Sequence, residues 1–500
     1  MAILVGIDLG TTSISAVAFC LENKRRLATV HQANHTNITA KADQLRGYSE
    51  WDADKIVATG LATLKQLVDD PAVSSQKQKI VALGVTGQQH GMVLTDHRGE
   101  AISPLINWQD RRSEQLIPGE KFSYRDQALE LLGESAFQTH GCSLASGFMV
   151  TTLFTLGNQG QIPDHSMACF IMDYFVHKLI NSTKSMDADK ERIFQTDATC
   201  AASAGIWNLE QQCWDKEALR RLNLRESLLP QICPSATIAG HVSTAIAKEI
   251  GISIGTPVTI PCGDNQASFL GSVSNWTEGV LVNIGTGGQI SVNTNRLNTK
   301  VGNKIVERRP FFDNTQLLVC AGLTGGRVLA DWERFFHEIG EQLFGQSSGP
   351  LFERLLQLGE DTYRGIESGK LSEEPIFLPY FHGTRHQPDR QAEIRNLRGG
   401  NLTPGHLTLA LIQGMVSSFQ EGYEALLATG EVPRNRLYAS GNGARSNRLF
   451  TKLAAQKFAL PLQIPAASEE AAFGAALCSG VACKAIPSFS AVSHLIEYEF

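Results

Sequence analysis

The chain has no CxxC pair, no uncharged apolar run of the roughly 18 residues that span a bilayer, and no GxxxxGK[ST] loop. Its ten cysteines are scattered, the closest two being Cys478 and Cys483. Neither a disulfide framework nor a cysteine zinc site is expected, and reduced thiols in a cytosolic compartment are. His382 and His386 have no third ligand nearby, so no metal site is read there. The first residues carry no basic region ahead of their apolar stretch, which Asp8 interrupts, so a signal peptide is not expected. No P-loop is present, and the first turn has no GxGxxG for a dinucleotide. Net charge is −6, with no clustered basic face, so neither nucleic acid nor a membrane is expected as partner. The short runs Lys24-Arg25-Arg26, Arg111-Arg112 and Arg308-Arg309 read as solvated surface. Aromatics are only 7% of the chain and form no row of the kind a polysaccharide-binding module displays.

What is present is length, glycine and a repeated turn. Five hundred residues exceed one ordinary core, so two large domains are expected, 1–254 and 255–500, with the boundary near Gly251 to Pro257. Ile3 to Leu9, Gly10-Thr11-Thr12 and Ser13 to Phe19 read as strand, tight turn and strand. Val280 to Ile284, Gly285-Thr286-Gly287-Gly288 and Gln289 to Val292 repeat that order, which suggests a duplicated domain. Helical stretches are expected at Ala53 to Leu67, Phe148 to Leu156, Ile171 to Ile180, Leu407 to Thr429 and Asn447 to Phe458. Strands are expected at Ile80 to Val85, Met92 to Leu94, Val258 to Pro261, Gln316 to Cys320, Phe377 to Phe381 and Leu437 to Ala439.

Glycine in a turn lets backbone approach a phosphate, turn N–H groups and threonine hydroxyls donate to it, and a carboxylate such as Asp8 can hold Mg²⁺ through water. Taken alone, the first hairpin points to a phosphate more than to an ordinary turn; two such turns, one per domain, can clamp one polyphosphate from both sides. Gly441-Asn442-Gly443-Ala444 follows a strand and opens a helix, which suits either a flat ring lying on backbone or a plain strand-to-helix turn. Asp264 follows an apolar strand beside Gly263, where it serves as a helix N-cap or as a base that accepts a hydroxyl proton late in phosphoryl transfer. Thr86-Gly87-Gln88-Gln89-His90-Gly91 and Asn107-Trp108-Gln109-Asp110-Arg111-Arg112 offer mixed donors and acceptors and an indole for a sugar face. A lone His90 is a common structural residue; with the second cluster beside it, the pair points to a polyol pocket.

In this order, IDLGTT, TGQQHG, NWQDRR, GDNQAS, NIGTGG, LPYFHGTR, SGNGARSN and EEAAFGAAL resemble the FGGY carbohydrate kinases, of the actin-like ATPase superfamily. The resemblance implies an α/β fold with two actin-like ATPase (ribonuclease H-like) domains and an interdomain cleft. It implies ATP and Mg²⁺ as cofactors, Asp264 as catalytic base and Asp8 near the metal. Gly10, Thr11, Thr12, Gly285 and Thr286 would hold phosphates, and Gly326, Gly443, Ala444 and Asn447 would border adenosine. Gln89, His90, Trp108, Asp110, Asp264 and Asn265 would line the sugar pocket. Within the family, SGFMVTTLF, MDYFV, NWQDRR and HGTRHQPD are most similar to the sedoheptulokinase branch; the xylulokinase branch shares GQ-x-HG and GDN but reads GERTP at Gly383 to Pro388. Gln89 stands where the family commonly has methionine, Arg111-Arg112 where a small residue often precedes the arginine, and Asn396 near a usual glycine. The expected reaction is phosphorylation of a terminal primary hydroxyl of a ketose, sedoheptulose first and D-xylulose or D-ribulose second. A homodimer is compatible with this reading. The other class of reading is a non-catalytic nucleotide or sugar sensor, against which the retained Asp264 argues.

Overall fold

A computed structural model describes residues 2–181, 193–297, 301, 304–346, 349–384, 387 and 389–499. In the first half run β1 (Ile3–Leu9), β2 (Ser13–Cys20), β3 (Arg25–Ala33), α1 (Ala53–Asp69), β4 (Ile80–Gly87), α2 (Met149–Asn158), α3 (Ile171–Ile180), β5 (Ile238–His241), β6 (Pro257–Thr259), β7 (Cys262–Gly263) and α4 (Asp264–Ser272). There follow β8 (Gly279–Ile284), β9 (Gly288–Thr294), β10 (Glu307–Pro310), β11 (Gln316–Leu323), α5 (Gly326–Phe344), α6 (Pro404–Leu427), β12 (Arg436–Ser440), α7 (Arg448–Phe458), β13 (Leu462–Gln463) and α8 (Glu470–Ala482). The expected elements are present with ends shifted by a few residues. The strand expected over Phe377 to Phe381 stops at Leu378, before Pro379, which has no N–H to continue a ladder.

The two sheets are built alike. The first has the order β5-β6-β4-β1-β2-β3, with β7 also on β4; the second has β10-β11-β9-β8-β12-β13. In each, a central strand (β1 or β8) forms an antiparallel hairpin with the next strand and a parallel pair with a later one (β4 or β12). The path β6-β4-β1-β2-β3 thus matches β13-β12-β8-β9-β11 strand for strand and sense for sense. The first sheet also continues past the expected boundary at 254/255: β6 and β7 both pair in parallel with β4. The change of sheet therefore falls after Gly263, because a short apolar strand is placed by its ladder partner, here some 175 residues upstream.

Period-two alternation gives each sheet two apolar faces. Ile3, Val5, Ile7 and Leu9 face a core shared with α1 and α3, while Leu4 faces a separate core with α4 and α8. Likewise Val280, Val282 and Ile284 face the core of α6 and α7, and Leu281 turns to α4 and α8. These two helices are therefore sandwiched between the sheets. Small residues make this possible. A Cβ at Gly84 would lie 1.9 Å from the Ala475 carbonyl oxygen, and one at Gly474 would lie 1.8 Å from that of Ala267. The run Glu469-Glu470-Ala471-Ala472-Phe473-Gly474-Ala475-Ala476-Leu477 is thus a packing surface for close backbone approach. Among the described residues, no helix is long and apolar enough to cross a membrane.

Candidate active site

Both glycine turns fall at the ends of the paired central strands. At the first, Asn34 donates from Nδ2 to the Gly10 carbonyl (3.0 Å) and from its backbone N–H to that of Thr12 (2.9 Å), and the Thr12 side chain is exposed. At the second, Gly285, Thr286 and Gly287 are exposed, and the start of α5 is bonded to the turn: Gly326 N–H donates to Gly285 O (2.9 Å) and Arg327 N–H to Thr286 O (3.0 Å). The third glycine segment joins them. Gly441 has φ +84°, and a Cβ at Gly443 would meet Ile284 Cγ2 at 2.4 Å, so this segment lies on the end of β8. Gly285, Thr286, Gly326 and Gly443 are thereby brought together. Ala444 and Asn447 are fully buried behind them. Asn447 caps α7 through a bond from Phe450 N–H to its Oδ1 (2.9 Å), so its side chain supports the segment instead of lining an open surface.

Asp264 is the first residue of α4, with Gly263 in the capping position. Its Oδ1 accepts the Asn265 N–H at 2.7 Å. The surrounding protein pushes its pKa up to about 6; backbone donors at Asn265 and Gln89 and the charge of Arg309 act in the opposite sense and do not cancel the burial. Asp8 is held well above the usual carboxylate range, by burial first, then by the charges of Asp264 and Glu469. Its Oδ1 is buried without a hydrogen-bond donor. Glu469 was not singled out from the sequence. It has φ +62°, a left-handed conformation uncommon for glutamate, and this αL residue immediately precedes α8.

The residues expected at the sugar divide into two groups. Gln89 is buried and donates from Nε2 to Thr199 O (2.9 Å) and Gln266 Oε1 (3.2 Å). His90, at φ +78°, stacks on Phe148 with ring centroids 4.2 Å apart, and its Nδ1 lies 2.9 Å from Ser203 O. These residues line a small cavity with Gln266, Arg308 and Arg309. Trp108 stays 40% exposed and donates from Nε1 to Thr11 Oγ1 at 3.0 Å. Asp110 corrects the expectation for it. It is completely buried, Oδ1 accepting from Arg112 N and Nε (2.9 Å each) and Oδ2 from Ser49 N (2.7 Å) and Arg112 Nη2 (3.0 Å). It braces the loop behind the pocket and has no oxygen left for a sugar. Arg112, Arg308 and Arg309 are likewise buried, against the expectation of solvated charge; Lys24, Arg25 and Arg111 are exposed as expected. His386, weighed as half of a metal pair, lies outside the described residues, and His382 instead contacts Asp331 Oδ2 (2.5 Å).

Matched glycine turns on duplicated sheets, with a carboxylate pair beside one of them, define a two-domain phosphotransferase fold. Residues 3–271 match the N-terminal domain of the FGGY family of carbohydrate kinases and residues 310–483 its C-terminal domain. The chain belongs to this family and is a carbohydrate kinase. It is 26% identical to a sedoheptulokinase of Mus musculus over 95% of this chain and 96% of that one. It is 22% identical to a xylulose kinase of Staphylococcus xylosus over 99% and 93%. Its fold is that of a ligand-bound xylulose kinase from Lactobacillus acidophilus (TM-score 0.82, 19% identity, 100% and 93% covered). It is also that of a Plasmodium falciparum glycerol kinase with ADP (TM-score 0.76, 18% identity, 100% and 93% covered).

Proposed function

We propose that this kinase transfers the γ-phosphoryl group of ATP to the terminal primary hydroxyl of sedoheptulose, giving sedoheptulose 7-phosphate. The choice of sugar rests on the likeness to the sedoheptulokinases of mouse and human, each over 95% of this chain. The observation that carries the chemistry is Asp264, a carboxylate at a helix start with a pKa raised to about 6, beside the unpartnered oxygen of Asp8. At neutral pH Asp264 is mostly ionised yet more basic than an ordinary aspartate, so it orients the acceptor hydroxyl and takes its proton as the oxygen bonds to phosphorus and the bond to ADP breaks.

Asp8 Oδ1 fits a cation. Buried and without a hydrogen-bond donor, this oxygen would hold Mg²⁺ through water. When bound, the ion would neutralise charge on the transferring phosphoryl group. Gly10, Thr11 and Thr12 would hold phosphate from one side and Gly285 and Thr286 from the other. Gly326 and Gly443 would border adenosine, with Ala444 and Asn447 supporting them from behind. Gln89, His90, Trp108 and Asn265 would hold the sugar. Closure of the two halves would exclude water as competing acceptor.

The deciding experiment measures ADP release against C5 to C7 ketoses and polyols for the wild type and Asp264→Ala. Highest kcat/KM with sedoheptulose, lost in the variant while ATP still binds, is the expected result. Preference for D-xylulose or D-ribulose would move the substrate. Binding of both ligands without ADP release would favour the sensor reading.

A further inference from the structure

The Arg308-Arg309 pair was expected on the surface, yet β10 carries it, with Glu307, to the cavity lined by Gln89 and His90. Arg309 donates from Nε (3.0 Å) and Nη2 (2.5 Å) to Glu307 Oε2 and from Nη1 to Asn265 Oδ1 (3.2 Å). All three residues are buried, at 8%, 4% and 5% exposure for Arg309, Glu307 and Asn265. Glu307 makes the burial tolerable, since a guanidinium removed from water needs a charged partner.

The contact with Asn265 has a chemical consequence. Arginine has donors and no acceptor, so only the amide oxygen of Asn265 can face it. The amide NH₂ is then turned the other way. The backbone N–H of the same residue is already committed to Asp264 Oδ1 (2.7 Å). Asp264 and Asn265 therefore act as one oriented unit: a carboxylate acceptor beside an amide donor. The residue that fixes this unit comes from the edge strand of the second sheet, whereas Asp264 follows the last strand of the first.

We propose that Arg309, held by Glu307, is a positioning residue for the acceptor: it locks the amide of Asn265 so that its NH₂ donates to a substrate oxygen next to the reacting hydroxyl. The proposal rests on the assignment of Asp264 as base and Asn265 as sugar contact. It implies an acceptor class with oxygen on the carbon adjoining the phosphorylated hydroxymethyl group.

The test is a double-mutant cycle on acceptor KM with Arg309→Met, Asn265→Ala and the two together, sedoheptulose being the acceptor. Arg309→Met and Asn265→Ala should each raise acceptor KM roughly 10- to 100-fold, the range for one hydrogen bond to a charged or well-oriented group. ATP KM should stay within about twofold, and the combined variant should be no worse than Asn265→Ala alone, because Arg309 acts through that amide. Multiplying effects, or an unchanged acceptor KM in Arg309→Met, would overturn the proposal. If Arg309→Met fails to fold because Glu307 loses the guanidinium beside it, Glu307→Gln/Arg309→Met removes both charges and the same comparison applies. A soluble protein of that kind with wild-type acceptor KM refutes the proposal. Turnover persisting in Asp264→Asn would instead remove the base assignment, and the KM pattern would still decide the role of Arg309.

Discussion

The indole of Trp108 donates its N–H to Thr11 Oγ1 at 3.0 Å, and Thr11 in turn donates to Gln88 Oε1, also at 3.0 Å. One side chain assigned to the sugar and one assigned to a phosphate are thus bonded directly. Gln88 accepts a further bond from Asn107 Nδ2 (3.2 Å), so both polar clusters of the first half share one network with the first glycine turn.

This bond predicts coupling between the two ligands. Trp108→Phe keeps the ring and removes the donor. Calorimetric titration of a non-hydrolysable ATP analogue with and without the sugar should show the coupling factor reduced about fivefold, the worth of one neutral hydrogen bond. Unchanged coupling would leave the bond with no functional weight.

The raised pKa of Asp264 gives two pH signatures. Acceptor kcat/KM should rise with pH through about 6 and level off above it, since the base must be ionised. Stability should move the other way. Relative to an unfolded aspartate near pKa ~3.9, the folded group binds more protons between pH of about 4 and about 6, so folding stability falls across that window and the full penalty applies above it. Asp264→Asn should therefore be more stable than the wild type at pH 7.5, by at most about 3 kcal/mol because the carboxylate keeps partial solvent access, melt higher accordingly, and lose that advantage below pH of about 4. Melting curves across pH would show it; equal Tm values at pH 7.5 would contradict it.

Asp8 carries the same stability sign and a different functional one. Asp8→Asn should raise the Mg²⁺ concentration needed for half-maximal rate by about 10- to 100-fold, as for a residue that holds a metal through water. It should also raise Tm in the absence of nucleotide at pH 7.5, by removing a carboxylate that is penalised first by burial and then by the charges of Asp264 and Glu469. A Mg²⁺ titration that superimposes on the wild type would take the metal away from Asp8.

Gly84→Ala tests the sandwich. The new methyl would meet the Ala475 carbonyl at 1.9 Å, and a helix backbone cannot yield locally as a side chain tip can. Destabilisation at the upper end of overpacking, about 3 kcal/mol or more, is expected in urea unfolding. A loss below about 1 kcal/mol would mean that α8 shifts freely.

The residues that could be read in advance share a property. The hairpins at Gly10 and Gly285, the strand before Asp264 and the amphipathic run before Thr429 signal themselves through local periodicity and turn chemistry. What escaped depends on partners far along the chain. Arg309 looks like surface until Asn265 stands 3.2 Å away, and Asp110 looks like a ligand until Arg112 and Ser49 occupy it. The strands at Val258 and Cys262 join the first sheet only because β4 is their ladder partner. Glu469 owes its place to a backbone conformation that no residue type at that position announces.

Just before their turns the two central hairpins differ in charge. Asp8 precedes the first turn by the same spacing that Asn283 precedes the second, and Asn283 is spent on Ser268 Oγ at 2.9 Å. A frame with two equivalent halves has no intrinsic sense of direction and would accept a string of phosphates either way round. Exchanging one carboxylate oxygen for an amide nitrogen gives it polarity. On the proposed reading, the half that carries the carboxylate would be the end at which bonds are made, and the half that carries the amide the end that only holds on.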